Sequence, residues 1–119
     1  MAQSHDIGKK GETLAAAYLK TKGYTILETN WRTGRLEIDI IARKANVLII
    51  VEVKTRSTNA FGEPELFVKK IKQRMLARAA ARYLATNSLD LEIRFDILAV
   101  ILGSSGPQIR YIEDAFYLY

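Results

Sequence analysis

Apolar residues recur along the chain with two different periods, and the switches between them divide it into seven elements. Over residues 6–22, Ile7, Leu14, Ala15, Tyr18 and Leu19 fall on one face of a 3.6-residue turn, which predicts a helix. Asp6 stands at its start as a cap, and Gly23 lies just past its end, where a left-handed residue closes many helices. Gly8 and Gly11 lower helix propensity in the first turns, a cost that makes sense if another part of the chain comes close there.

The period then shortens. Residues 24–31 read as a strand, Thr33-Gly34 as a turn, 36–42 as a second strand and 46–54 as a third, joined to the second by the tight connection Arg43-Lys44-Ala45-Asn46. The run 47–51 is apolar at every position, as expected of a central strand covered on both faces. Residues 55–65 are polar and contain Gly62 and Pro64, which predicts a loop. A long helix is expected over 66–86, with Val68, Ile71, Met75, Leu76, Ala79, Ala80, Tyr83 and Leu84 as its apolar stripe and Asn87-Ser88 as its end. A fourth strand over 91–102, a turn over 103–107 and a fifth strand over 108–112 follow, and the last seven residues read as a short terminal turn. The order α-β-β-β-α-β-β predicts one α/β domain spanning 1–119, with a mixed sheet of about five strands and helices packed on it.

Composition narrows the chemistry. The chain of 119 residues is 49% hydrophobic and 26% charged, the balance of a soluble globule. It has no Cys, which excludes disulfides, thiolate zinc sites, iron–sulfur clusters and a cysteine nucleophile. No window approaches the roughly 18 apolar residues of a membrane span, so no membrane partner is expected. Residues 1–6 lack the basic start and apolar stretch of a secretory signal, and the expected compartment is the cytoplasm. There is no glycine-rich phosphate cradle, hence no nucleotide cofactor, and Ser57-Thr58 and Ser104-Ser105 have no His–Asp partners for a triad.

The net charge is +5, which favours a polyanionic partner. The second helix carries Lys69, Lys70, Lys72, Arg74, Arg78 and Arg82, with no acid between Leu66 and Thr86. Lys70, Arg74, Arg78 and Arg82 repeat every fourth residue; like charges at that spacing cost a helix a few tenths of a kcal/mol per pair, which an opposing polyanion would offset. The alternative is a solvated face that keeps the protein soluble. Arg32, Arg35, Arg43, Lys44 and Arg56 add cations suited to phosphate contacts without base readout.

Strand alternation places Leu36, Ile38 and Ile40 on one face and Glu37, Asp39 and Ile41 on the other, while Leu48, Ile50, Glu52 and Lys54 share a face of the next strand. In a hairpin closed at 43–46, Asp39 falls roughly opposite position 50, one diagonal step from Glu52. Glu52 ends an otherwise apolar strand, and a lone buried carboxylate costs several kcal/mol, so it must be paired or hold a metal. An ion pair of Lys54 with Glu52 or Asp39 is the plainer alternative. Glu12 shares a stripe with Ala15, Ala16 and Leu19 and is either aimed at the sheet or simply a first-turn acid favoured by the helix dipole. Three acids meeting one lysine make a hard-oxygen site suited to Mg²⁺ or Mn²⁺.

Asp39 followed by Glu52-Val53-Lys54 resembles the PD-(D/E)xK nuclease superfamily, and Glu12 on a preceding helix is similar to the archaeal Holliday junction resolvases. Gly11-Glu12, Asn30-Trp31-Arg32, Glu37-Ile38-Asp39, Val51 to Arg56, Lys72-Gln73-Arg74 and Arg94-Phe95-Asp96 together resemble the YraN-like family of small bacterial proteins, predicted endonucleases, over roughly residues 5–117. Two positions depart from those patterns: Ile38 stands where the superfamily's Pro would precede Asp39, and Leu36 where the family usually has Gly. The resemblance implies a restriction-endonuclease-like core and metal-dependent cleavage of DNA phosphodiester bonds, at branched or structured sites by analogy with the resolvases. It implies Asp39, Glu52 and the Val53 carbonyl as ligands of Mg²⁺ or Mn²⁺, Glu12 completing the acidic cluster and Lys54 serving the nucleophile. Arg32, Arg35, Arg56, Lys70, Lys72, Arg74 and Arg78 are then expected on the DNA, and a resolvase-like reading implies a symmetric homodimer because two strands must be cut. The rival readings are a nucleic-acid-binding module of the same fold without turnover and a basic interaction protein. Of the remaining polar residues, Asp96 is expected to pair with an Arg, Trp31 to pack in the core, Gln73 to face the site and orient a water, and His5 to have no ligand role.

Overall fold

The computed structural model describes residues 4–57 and 67–116, with side chains from Asp6 onward. The expected loop around Gly62 and Pro64, the helix start at residue 66, the last three residues and the His5 side chain lie outside the described residues. The remainder follows the expected order: α1 (Ser4–Thr21), β1 (Thr25–Thr33), β2 (Leu36–Lys44), β3 (Val47–Arg56), α2 (Lys70–Thr86), β4 (Glu92–Gly103) and β5 (Gly106–Phe116). The strands form one mixed sheet in the order β1-β2-β3-β4-β5. β1, β2 and β3 form an antiparallel meander, β3 and β4 are parallel, and β4 and β5 are antiparallel. The parallel step requires a long crossover, and α2 lies on it.

The helices cover opposite faces of the sheet. Ala15 and Leu19 of α1 pack with Ile40, Ala42, Ile49, Val51, Leu98 and Val100. Leu76, Ala79, Ala80 and Tyr83 of α2 pack with Leu36, Ile38, Ile41, Leu48, Ile50, Phe95 and Ile97. Alternate residues of β3 thus feed two cores, which is why its sequence is apolar throughout. Gly23 closes α1 at φ +87°. The Tyr24 N–H bonds to the Leu19 carbonyl at 3.1 Å and the Gly23 N–H to that of Lys20 at 3.0 Å, the paired bonds of a Schellman motif.

Several expectations are corrected. Residues 67–69 are not helical; Lys69 is extended, and α2 begins at Lys70. Ile71 and Met75 do not face the core but are 68% and 37% exposed, because the sheet-facing arc set by Leu76, Ala79, Ala80 and Tyr83 lies on another side of the helix. β5 runs through 113–116, where a terminal turn was expected. A bulge opposite Asp96 carries it on: Asp114 sits at φ +53°, its N–H bonds to Asp96 Oδ1 at 2.8 Å, and Phe116 stacks on Phe95.

The alternation expected for residues 36–41 also fails. Leu36 and Ile38 join the α2 side, but Ile40 joins the α1 side, so the pleat slips at Asp39. Across the strand pair the ladder steps from Trp31–Ile38 to Thr29–Ile40, and the intervening Asn30 is left-handed at φ +52°. A short polar side chain tolerates that conformation, and the kink it makes in β1 lies beside Asp39.

Candidate acid pair at the β2–β3 fork

The turn between β2 and β3 is only two residues, Ala45-Asn46, with Lys44 paired to Val47 and Ala45 at φ +55°. The register is therefore shifted by two residues from that of a hairpin closed by four: Ile41 faces Ile50 and Ile40 faces Val51. Asp39 comes directly to Glu52 rather than to position 50. The β2–β3 ladder stops at Ile40–Val51, while β2 stays paired to β1 as far as Leu36 and β3 to β4 as far as Arg56. The two strands fork at this point, and the Asp39 carboxylate fills the fork: its Oδ2 accepts the Val53 N–H at 2.8 Å.

The pair is electrostatically tense. The Asp39 carboxyl is raised from 3.8 to about 8, by burial first, then by the neighbouring Glu52 carboxylate and more weakly by Glu12, against the opposing effect of the Val53 N–H. Glu52 hydrogen-bonds to Asp39 and forms an ion pair with Lys72 at 3.5 Å. The Lys54 ammonium makes neither of the ion pairs considered from sequence. It donates to the Phe67 carbonyl at 2.5 Å and lies 5.5 Å from the centre of the Phe67 ring. Lys72 is therefore the lysine at the acid pair, whereas its sequence context pointed only to phosphate contacts. Its position in the first turn of α2, facing the end of β3, needs the crossover geometry to be known.

Glu12 is brought toward the acid pair, without joining it, by Gly11. A Cβ at residue 11 would collide with the Thr55 side chain, so only glycine lets α1 sit this close to β3, two residues beyond Val53. Gly8 meets nothing and has no such role. Glu12 is half-buried and lines an open groove between α1 and β1 with Lys9, Thr13, Lys20 and Asn30. Among the described residues, no three acidic or histidine side chains stand close enough together to share one metal ion. Asp39 and Glu52 are joined, and Glu12 acts on them from a distance.

Other candidates settle elsewhere. Asp96, 1% exposed, receives Nε and Nη2 of Arg94 at 2.9 and 2.8 Å and also the Tyr111 hydroxyl, so it is paired as expected. Its carboxylate is the main reason the Arg94 guanidinium holds its proton more tightly than usual; burial and Asp96 raise Tyr111 likewise. Trp31 meets Tyr83 edge-on at 5.0 Å and packs on the α2-side core. The Gln73 side-chain amide donates to the Val68 carbonyl at 2.8 Å and braces the start of α2 instead of facing the acids. Arg32 pairs with Glu37 at 3.3 Å near the β1–β2 turn, and Arg56 is half-buried at the end of β3.

The basic stripe of α2 lies in solvent: Lys70, Arg74, Arg78 and Arg82 are all exposed. It runs for about 18 Å at 1.5 Å per residue, from the level of Glu52 to the β1–β2 turn, where the Arg82 guanidinium lies close to Gly34 and Arg35 adds a further exposed cation. The helix has no acid in its first turn, so its positive end is crowded with like charge. No helix among the described residues is long and apolar enough to cross a membrane.

Comparison with known proteins places residues 11–100 in a match to the model of the uncharacterised protein family UPF0102. A UPF0102 protein of Flavobacterium psychrophilum is 54% identical over 117 residues, covering 98% of each chain. One from Christiangramia forsetii is 48% identical over 119 residues and the full length of both, and one from Thermodesulfovibrio yellowstonii is 45% identical over 112 residues, covering 94% of this chain and 96% of its own.

Proposed function

The chain belongs to the UPF0102 family, and we propose that it is a metal-dependent endodeoxyribonuclease whose reaction centre is the Asp39–Glu52 pair. One observation carries this reading. At the fork of two core strands, two carboxylates are held side by side with a backbone N–H, in a place where their mutual repulsion and burial cost stability. Such an arrangement serves no packing purpose, and a divalent cation would relieve it.

The two joined carboxylates are hard-oxygen donors that suit Mg²⁺ or Mn²⁺, ions that retain several waters and take one or two protein carboxylates, and the nuclease resemblance adds the Val53 carbonyl as a third donor. When bound, it would polarise a phosphoryl oxygen and lower the pKa of water at neutral pH. The chain's own groups do the rest. Asp39 is fixed by the Val53 N–H, and Glu52 reaches it from the adjacent strand. Glu12 adds negative potential from α1. Lys54 and Lys72, which share the pocket beside Glu52, offset charge on the attacked phosphate, with Lys54 serving the nucleophile. Lys70, Arg74 and Arg78, with Arg32, Arg35 and Arg56, hold the phosphate backbone over the fork. Branched DNA cut by a homodimer is the substrate arrangement that the resolvase likeness suggests.

One observation favours a second reading. Lys72 already neutralises Glu52, and only two acids are joined, which suits a nucleic-acid-binding module of the same fold that does not turn over. Incubating supercoiled plasmid and a four-way junction with Mg²⁺ or Mn²⁺ separates the two. The nuclease reading expects nicking that disappears in Asp39→Ala and Glu52→Gln. Cleavage unchanged in both variants belongs to a contaminant, and binding without cleavage supports the module.

A further inference from the structure

The outward side of the α2 entry is apolar where solvent should favour charge. Phe67 is 56% exposed, Ile71 68% and Met75 37%, the large hydrophobic residues that stand out in solvent among the described residues. Scattered exposed apolar residues are ordinary, but these three form a contiguous strip. They are also not remote from the acids: Phe67 and Ile71 line one pocket together with Glu52, Lys54, Lys69 and Lys72. The strip is edged by exposed Lys69, Lys70 and Arg74. Lys54 steadies the Phe67 end, bonding its carbonyl and facing its ring.

We propose that Phe67 and Ile71, extended by Met75, form a platform for an unstacked nucleobase beside the phosphate at the acid pair. The preferred ligand is then a strand with unpaired bases rather than a continuous duplex. The inference deepens the nuclease reading and rests on it. Its basis is chemical complementarity: a polyanion that also offers flat apolar faces matches a strip in which aromatic and aliphatic side chains alternate with cations. In a stacked duplex the base faces are hidden, so the strip would have nothing to bind. An anionic lipid surface would also match the cations and the apolar groups, but its acyl chains offer no flat face for the exposed Phe67 ring, and it is one of the outcomes the test separates.

The test is fluorescence anisotropy in EDTA with the full chain, using a labelled single-stranded oligonucleotide and the blunt duplex of the same sequence. Phe67→Ala and Ile71→Ser should each weaken single-strand binding about tenfold or more and duplex binding less than about twofold, with an unchanged salt slope, and Phe67→Trp should restore it. Both residues are exposed, so the variants should melt like the parent. Equal losses on strand and duplex, no loss, or no single-strand binding by the parent overturns the proposal. A loss confined to vesicles containing phosphatidylserine assigns the strip to lipid, and a change of mass in light scattering with strand binding intact assigns it to a second copy; either also overturns it. No metal is present, so these outcomes are independent of the acid pair: a nuclease reading that fails for want of metal binding leaves the anisotropy result untouched, and the reverse holds.

Discussion

Asp39→Asn should make the protein more stable at neutral pH while abolishing its proposed chemistry. In the folded chain the Asp39 carboxyl is raised from 3.8 to about 8, first by burial and then by Glu52. A raised carboxyl means that the native state binds the proton more tightly than the unfolded chain does. Its contribution to stability is therefore full below about pH 4 and is lost progressively as the pH climbs from there to about 8. Each pH unit in that window is worth at most about 1.4 kcal/mol, so the ceiling near pH 7 is about 4 kcal/mol; water entry and side-chain relaxation reduce it to roughly 1–2 kcal/mol. Asparagine keeps an oxygen for the Val53 N–H, offers Glu52 an N–H in place of the proton, and never ionises. Urea melts of both proteins without divalent ions, at pH 4.5, 6 and 7.5, give the difference in unfolding free energy, from which the titrating groups that do not interact with Asp39 cancel, leaving Asp39 and its acidic neighbours. That difference should be near zero at the lowest pH and should grow in favour of the variant with rising pH. A variant less stable at pH 7.5, or a difference independent of pH, would mean that Asp39 is not held as a raised carboxyl beside Glu52.

Three further outcomes follow from the same contacts. Gly11→Ala drives a methyl into Thr55, a stiff β-branched side chain on β3, and should cost about 1–3 kcal/mol in urea melts while shifting Glu12 away from the acids. Asp96→Asn leaves the partly exposed Arg94 guanidinium facing a neutral group and should lower stability by about 1.5–3 kcal/mol; a loss below about 1 kcal/mol would show that the Arg94–Asp96–Tyr111 cluster is not a structural anchor. Lys72→Gln removes the cation that competes for Glu52, so Mn²⁺ affinity measured by calorimetry should rise several-fold while the salt slope for DNA binding falls by about one; weaker Mn²⁺ binding would contradict that competition.

Periodicity was enough to read most of the fold. The Gly23 cap, the central placement of β3 and the end of α2 near Asn87-Ser88 each follow from local rules that tertiary context did not override. The misses share a cause. Ile71 and Met75 satisfy the helical spacing of a core stripe, but which arc of α2 meets the sheet depends on where the crossover delivers it. The break in alternation at Asp39 depends on Asn30 in the neighbouring strand, and the extension of β5 depends on Asp96 holding a bulge one strand away. The meeting of Asp39 with Glu52 was legible to within two residues, and the error came from the turn, which uses two residues rather than four. That Lys72 rather than Lys54 pairs with Glu52 was hidden for a similar reason: facing directions along β3 were readable, but the contact made by α2 across them was not.

The central claim is that the fork between β2 and β3 holds a divalent cation through Asp39 and Glu52. The most direct measurement is a Mn²⁺ titration at pH 7.5 followed by the loss of the free-ion electron paramagnetic resonance signal, run on the parent, Asp39→Asn and Glu52→Gln. The parent should bind Mn²⁺ saturably, and both substitutions should abolish that binding while each variant keeps its fold by circular dichroism. Absence of saturable binding by the parent, or binding that survives both substitutions, would contradict it.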